Sequence, residues 1–411
     1  MKTSKFFSLL VLLVFLFSLG FAGPAAAQDS TISFLTAPWG VPPDEMLLNA
    51  FMEESGITVE IQSVQTADLH SRVQVAAAAG EAPADVIFIT QEGPSNVVAT
   101  GNLLPLNDLI DMGDLDVDDI EKMDFWTIDG DIYAVTTYLQ LVMMDYNSAR
   151  LAEAGYEAAP TTWAELDEMA RAVQAAGVDD HPIAMGAINW SWWLIALSMG
   201  DPMFDDDLNP VFADEGSKAR EAMALLKSWF DDELISPEIL AGSIGQHPLF
   251  WSGVGVFHQG WQGSVVPGNA ETSMQAPNVE YMVLPEVGNT WSFPAGIGIS
   301  VDSENVEAAW EFIKWYVGAD NMTAIWNAFG LYPSRTSLAA ALNEAGQVQG
   351  YAEIVEQGMR TNELPRFALW WGPWSASVSE HILEAMSTGT ASDDLIDALA
   401  EEWNELKAEY E

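Results

Sequence analysis

The sequence predicts an α/β protein of two lobes, each an open mixed sheet flanked by helices, with a cleft at the hinge where the chain passes between them. Three observations carry this. Residues 31–89 read as strand, helix, strand, helix, strand, the signature of an open α/β sheet. Residues 126–147 read as a strand, a short polar break and a second buried strand, which is how a chain would cross from one lobe to another. The chain has 411 residues, 49% of them hydrophobic, enough for two or three domain-sized units with large cores.

Taken in order, residues 31–35 alternate as a half-buried strand and end in a loop carrying Trp39. A helix over 44–54, a strand over 57–61 and a helix over 68–79 follow, the last stopped by Gly80. Residues 85–89 are apolar on both faces, as in a parallel strand covered by helices. Asp129-Gly130 supplies the positive φ angles of a tight hairpin turn, and residues 135–138 are predicted to be the first hinge. Thr162 and Glu165 after Pro160 form a capping box, and a helix should run to Gly177. A helix over 216–230 precedes residues 250–261, read as a short strand ending in a Gly-flanked Trp261. Residues 283–285 and 291–294 should carry the return crossing, before a strand over 297–301 and a helix with Val306, Ala309, Trp310, Ile313 and Val317 on one face. Residues 395–410 read as an acidic amphipathic helix. The resulting division is a leader over 1–27, a first lobe of 28–136 plus 287–333, and a second of 137–286 plus 334–411.

The leader is expected from Lys2 and Lys5, the apolar run 6–19 and the small residues Ala25-Ala26-Ala27, the pattern of a cleaved secretory signal. No Cys occurs, so disulfides, thiolate metal sites and attachment of lipid to a Cys are excluded. The product is expected outside the cytoplasm, periplasmic or extracellular, and not lipid-anchored. Asp and Glu number 61 against 14 Lys and Arg, a net charge of −47. Such a surface repels nucleic acid and anionic membranes. The acids are spread over many helices, and a high-salt habitat, where screening shortens the reach of self-repulsion, is the expected reason. Two acidic runs imitate calcium loops, but Asp119 and Phe125 in one, and Pro210 and Gly216 in the other, stand where a Gly and a bidentate Glu are required. No metal or other cofactor is expected.

The ordered set Ala84–Phe88 with Gly101–Leu106, Gly130–Val135, Asp145-Tyr146-Asn147 leading to Thr162–Leu166, Gly253–Trp261, Pro294–Ile299, Glu307–Ile313 and Gly330–Arg335 covers nearly the whole chain after the leader. In this order it resembles the extracellular solute-binding proteins of ABC importers, in the carbohydrate-oriented family like the maltose-binding proteins. The chain departs from that pattern at Thr136, where relatives often carry Pro, and at Met144, where they usually have an aromatic. The resemblance implies the type II periplasmic-binding-protein fold, a small carbohydrate ligand, membrane permease subunits as partners, a monomer, and no catalysis.

Seventeen tryptophans supply the candidate site. An indole face is a flat apolar platform with an N–H at its edge, suited to a sugar ring with one C–H-rich face and a rim of hydroxyls. Trp39, Trp190, Trp192, Trp193, Trp261, Trp291, Trp370, Trp371 and Trp374 are expected in loops or at element ends, whereas Trp310, Trp315, Trp326 and Trp403 fall on helices and are expected in the core. The resemblance adds weight to Trp261, and to Trp370 and Trp371 near the start of a late helix. Gln91, Glu92, Tyr138, Gln140 and Asn189 stand at strand ends, hinge or loop and are expected to pair with ligand hydroxyls. Arg335 is expected to be structural, and His258 is expected to be the only histidine near the cleft. Two alternatives stay open: a secreted glycoside hydrolase, which needs two carboxyls across the scissile bond, and a receptor holding a quaternary-amine osmolyte in a tryptophan cage.

Overall fold

The computed structural model describes residues 30–90, 101–186 and 188–410; the expected leader, and the candidates Gln91 and Glu92, lie outside the described residues. Strand β1 (Ser30–Thr36) pairs in parallel with β2 (Ile57–Ser63) and β3 (Val86–Ile89), with helices Glu45–Ser55 and Thr66–Ala79 as crossovers. The first helix starts at Asp44, whose side chain accepts the Met46 and Leu47 amides, and stops at Gly56 with φ +73°. The hairpin of β4 (Thr127–Ile128) and β5 (Asp131–Ile132) turns through Asp129 and Gly130, both at positive φ.

The chain then runs through β6 (Val135–Leu139), β7 (Val142–Asn147), β8 (Ile183–Ala184), β9 (Phe257–Trp261), β10 (Val279–Met282), β11 (Ala295–Ile299) and β12 (Tyr332–Pro333). One sheet has the order β12-β6-β11-β3-β1-β2 and the other β10-β7-β9-β8. Each has its own apolar core, one around Phe34, Phe88, Ile297 and Phe312, the other around Met144, Leu194, Phe257 and Trp374. A smaller cluster, including Met143, Tyr281, Trp326 and Tyr332, joins residues of both sheets.

The first crossing falls later than the sequence suggests. Residues 135–138, read as a hinge, form a buried strand in the middle of the six-stranded sheet, and the chain changes sheets at Gln140-Leu141. The threonines that look like a polar break are satisfied inside the sheet. Trp126 donates its indole N–H to the Thr136 hydroxyl at 3.0 Å, and the Thr137 hydroxyl donates to the Ala295 carbonyl. With hydroxyls paired, β-branched residues suit a strand. The return crossing, residues 283–294, runs beside the first: the Phe293 amide donates to the Gln140 carbonyl at 2.8 Å, and Leu141 bridges Ser292. A third passage leaves the first sheet at Ser334, whose hydroxyl donates to the Thr136 carbonyl, before helix Thr336–Glu344. The helices Trp371–Thr388 and Ser392–Tyr410 then cover the second core.

Three expectations for polar groups meet built structure. Arg335 donates to the Val317 carbonyl and pairs with Asp119 at 3.1 Å, a structural role. Asp119, from the calcium-like run, also accepts from Ser337. Asp205 in the other run accepts the Asp207 and Asn209 amides as a turn. The capping box of Thr162 and Glu165 is formed at the head of helix Trp163–Ala175.

Candidate functional site: a neutral aromatic cleft between the sheets

A cleft of 440 Å³ opens where the two sheets meet, near the small end of the roughly 300–1,000 Å³ span of ligand pockets. From the first side it receives Trp39, Tyr138, Phe329 and Leu331. Trp39 stands on the turn Pro38–Gly40 after β1, and its indole N–H donates to the Tyr138 hydroxyl at 3.0 Å. That turn needs Gly40, where a Cβ would come within 2.2 Å of the Thr36 hydroxyl. Tyr138 is buried at the end of β6, and burial pushes the pKa of its hydroxyl well up, so it stays a neutral donor.

The second side brings Trp190, His247, Trp251, Gln259 and Trp261, with Gln246 at the rim. Trp190 is held edge-on by Phe293 at 4.8 Å and by Trp291 at 5.5 Å. The rings of Trp251 and Trp261 pack edge to face, their centroids 6.4 Å apart and their planes at 79°. Gln259 accepts the Ser191 hydroxyl through its Oε1, so its amide donor group is left for the cleft. Gln140 and Phe293 line it from the two crossing segments.

Both sides also touch directly. Trp261 donates its indole N–H to the Gly330 carbonyl at 2.9 Å, joining the end of β9 to the C-cap of helix Ala319–Phe329. Beside it the backbones of Gly263 and Gly330 come so close that a Cβ on Gly263 would lie 1.5 Å from the Gly330 oxygen. Gly330 has φ +62°, a left-handed cap that favours glycine.

The cleft therefore gathers Trp39, Tyr138, Gln140, Trp190 and Trp261 from the sequence candidates, and not the others it describes. Trp291 is buried behind Trp190. Asn189 is buried and spends its amide on the Ser375 carbonyl and hydroxyl. Trp370 and Trp371 belong to the second core, with Trp371 against Trp193 at 5.0 Å and Trp370 against Trp403 at 5.6 Å. The reason is visible in spacing: Trp371, Trp374, Val378, Ile382 and Ala385 form the buried stripe of one helix. Trp192 and Trp193 likewise sit inside helix Asn189–Ser198 rather than in a loop. His258 is wholly buried, and the histidine at the cleft is His247.

Sequence reasoning missed His247 and Trp251 because residues 250–261 look like one apolar strand. In the structure, helix Gln246–Trp251 ends there, and Gly253 and Gly255 at positive φ turn the chain into β9. The four-residue spacing of His247 and Trp251, one helical turn, was the available signal. Among the described residues no Asp, Glu, Lys or Arg lines the cleft. It can hold an uncharged molecule between ring faces and pair its polar edge with amides, a phenol and an imidazole.

Comparison with known proteins agrees with this architecture. Maltose-bound MalE3 of T. maritima is 21% identical, with TM-score 0.80 over 92% of this chain and 100% of that one. A solute-binding protein of Thermotoga lettingae with bound α-D-tagatose is 16% identical, with TM-score 0.80 over 92% of this chain and 100% of that one. One from Agrobacterium vitis with bound D-mannitol is 19% identical, with TM-score 0.79 over 92% and 99%. The fold is thus that of two-lobed binding proteins of the maltose-binding type. The sequence model of bacterial extracellular solute-binding proteins matches residues 46–354, three-quarters of the chain, and the protein belongs to that family.

Proposed function

We propose that the protein is the substrate-binding receptor of an ABC importer, capturing a small uncharged carbohydrate or polyol by closure of its two lobes and handing it to membrane permease subunits. The observation that carries this is a cleft walled from both sheets by indole, phenol and amide groups, with no ion among its described lining. Closure requires that the ligand gain more in the closed state than in the open one, and contacts supplied by both lobes provide that difference. The ligands printed for the similar structures, maltose, α-D-tagatose and D-mannitol, are uncharged polyhydroxy compounds and support the class. The cleft volume favours a mono- or disaccharide over a longer chain. A hydrolase would need two carboxyls facing each other, where the described lining offers amides and rings, so the receptor is proposed to leave its ligand intact. Export by the leader over 1–27, no lipid anchor, a monomeric state and a high-salt habitat belong to the same reading.

A thermal-shift screen at high salt with maltose, D-tagatose, D-mannitol and glycine betaine tests it. One of the three polyhydroxy compounds should raise the melting temperature; at 100 times Kd the stabilisation is about 2.7 kcal/mol. That compound should be recovered uncleaved after overnight incubation. A shift with glycine betaine alone, or cleavage of the sugar, would overturn the proposal.

A further inference from the structure

Behind the cleft wall runs a chain of buried polar groups that stacking alone does not require. His247 lines the cleft, and its Nδ1 lies 2.8 Å from Nε2 of His258 in β9. His258 is fully buried beneath the Phe250 ring, 4.5 Å away and nearly parallel. Its Nδ1 lies 2.8 Å from Oδ1 of Asp145 in β7, which is also fully buried. The other Asp145 oxygen accepts the Ser264 hydroxyl. The packing leaves no slack: a Cβ on Gly260 would lie 2.8 Å from that oxygen and 2.4 Å from the Ser264 hydroxyl.

Where the protons sit follows from the charges. A carboxylate only accepts, so Nδ1 of His258 carries a hydrogen. One hydrogen remains between His258 and His247. If His247 held it, Asp145 would be a buried anion with no cation beside it, a costly state. If His258 holds it, an imidazolium pairs with the carboxylate and the buried pair is neutral overall. Nδ1 of His247 then accepts, and that ring's own hydrogen is forced onto Nε2, which makes no hydrogen bond to the described residues. Burial and the cationic His258 push the pKa of His247 down to about 3, so it keeps that single hydrogen at neutral pH. Trp261, edge-on at 5.1 Å, and Trp251, near-parallel at 6.2 Å, fix the ring.

We infer that the buried Asp145–His258 pair locks His247 as an Nε2–H donor at the cleft wall, where it selects ligands that present an acceptor oxygen. Asp145 and His258 are positioning residues; His247 is the group that touches the ligand. The inference rests on the carbohydrate reading only for the nature of that oxygen, a ring, glycosidic or hydroxyl oxygen. A site built around a fixed donor discriminates strongly against a ligand that leaves it unpaired.

Long-range 1H–15N spectra of the ligand-free protein, labelled in its imidazole nitrogens and assigned with His247→Gln and His258→Gln, test the lock. The expected wild-type spectrum shows His247 in the Nε2–H form and His258 with both nitrogens protonated. His247 in the Nδ1–H form overturns the inference, and the wild-type spectrum decides this without any buried variant. Asp145→Asn, where it folds, should remove the doubly protonated signature. Calorimetry with maltose and D-mannitol on the same sample separates the two readings. No heat from either, with His247 in the Nε2–H form, counts against the carbohydrate reading and upholds the lock; heat with the Nδ1–H form does the reverse. For a sugar that binds, His247→Phe should weaken affinity about tenfold and His247→Gln, which keeps an N–H, much less. Equal affinity in His247→Phe overturns the donor role.

Discussion

Replacing Gly263 by alanine tests whether the cleft is closed by contact between its two sides. The added Cβ would sit 1.5 Å from the Gly330 carbonyl oxygen, 2.4 Å from its carbon and 2.8 Å from its Cα. All three are backbone atoms, so no rotamer change relieves the clash, and the two backbones must separate by about 1.5 Å to restore an ordinary contact. The same separation stretches the bond from the Trp261 indole to the Gly330 carbonyl, now 2.9 Å. Overpacking of this kind costs about 1–3 kcal/mol. Here the cost falls where the two sides touch, so it opposes closure of the cleft. A closed state disfavoured by that amount lowers apparent affinity about 5- to 150-fold, since only the competent fraction binds. Calorimetry with the sugar that raises the melting temperature measures the loss, and the melting temperature of the free protein should move much less than in a core truncation. Affinity unchanged within twofold would show that the seam plays no part in the bound state, and the reasoning would fail.

Three further outcomes are expected. Trp261→Ala removes an indole face and the link to Gly330, and should abolish the sugar-induced melting shift while the free protein stays folded; a retained shift rejects Trp261 as a stacking surface. Trp371→Ala should do the opposite, costing about 3–5 kcal/mol in denaturant unfolding with affinity retained, because this side chain is 1% exposed among Trp193, Trp374 and Trp403. Asp85 joins the start of β1 to the turn after β11 by accepting from the Ser33 amide and hydroxyl, Ser303 and Asn305. Burial would raise its pKa, but these hydrogen bonds outweigh it and hold the carboxyl below its usual range. A depressed carboxyl stabilises the fold above its unfolded pKa, and that contribution is lost as pH falls through the folded one. Asp85→Asn should therefore cost about 1 kcal/mol at pH 7, allowing for solvent screening, and the gap from wild type should shrink toward pH 3. A gap independent of pH would refute the assignment.

Most of the architecture could be read from the chain because it rests on local rules. Alternation, capping residues and glycine stops place the first five elements, and Asp129-Gly130 marks its own turn. The hinge was misplaced because a threonine pair looks polar in sequence, yet each hydroxyl finds a buried partner only after distant segments assemble. The same limit governs the tryptophans. Trp39 follows a strand and Trp261 ends one, so both stand at a sheet end facing the cleft, which sequence order reveals. Trp371 follows no strand; it opens a long helix whose buried stripe decides its fate, and that stripe outweighs its place near a loop. His247 reaches the cleft only because a short helix and two glycines interrupt what reads as a strand.

The contrast between a surface of charge −47 and a cleft with no ion in its described lining has a consequence for salt. Self-repulsion among surface carboxylates weakens as the Debye length falls from about 10 Å at 0.1 M to about 3 Å at 1 M ionic strength. Folding stability should therefore rise with sodium chloride. Capture of an uncharged sugar involves no ion pair and no change of ligand charge, and the buried Asp145–His258 pair is neutral as a unit in the arrangement inferred above, so salt has little electrostatic hold on it. Affinity for such a sugar should stay within about twofold between 0.2 and 2 M salt while the melting temperature climbs. A steep fall of affinity with salt would mean that a charged group takes part in recognition, and the neutral-cleft argument would have to be abandoned.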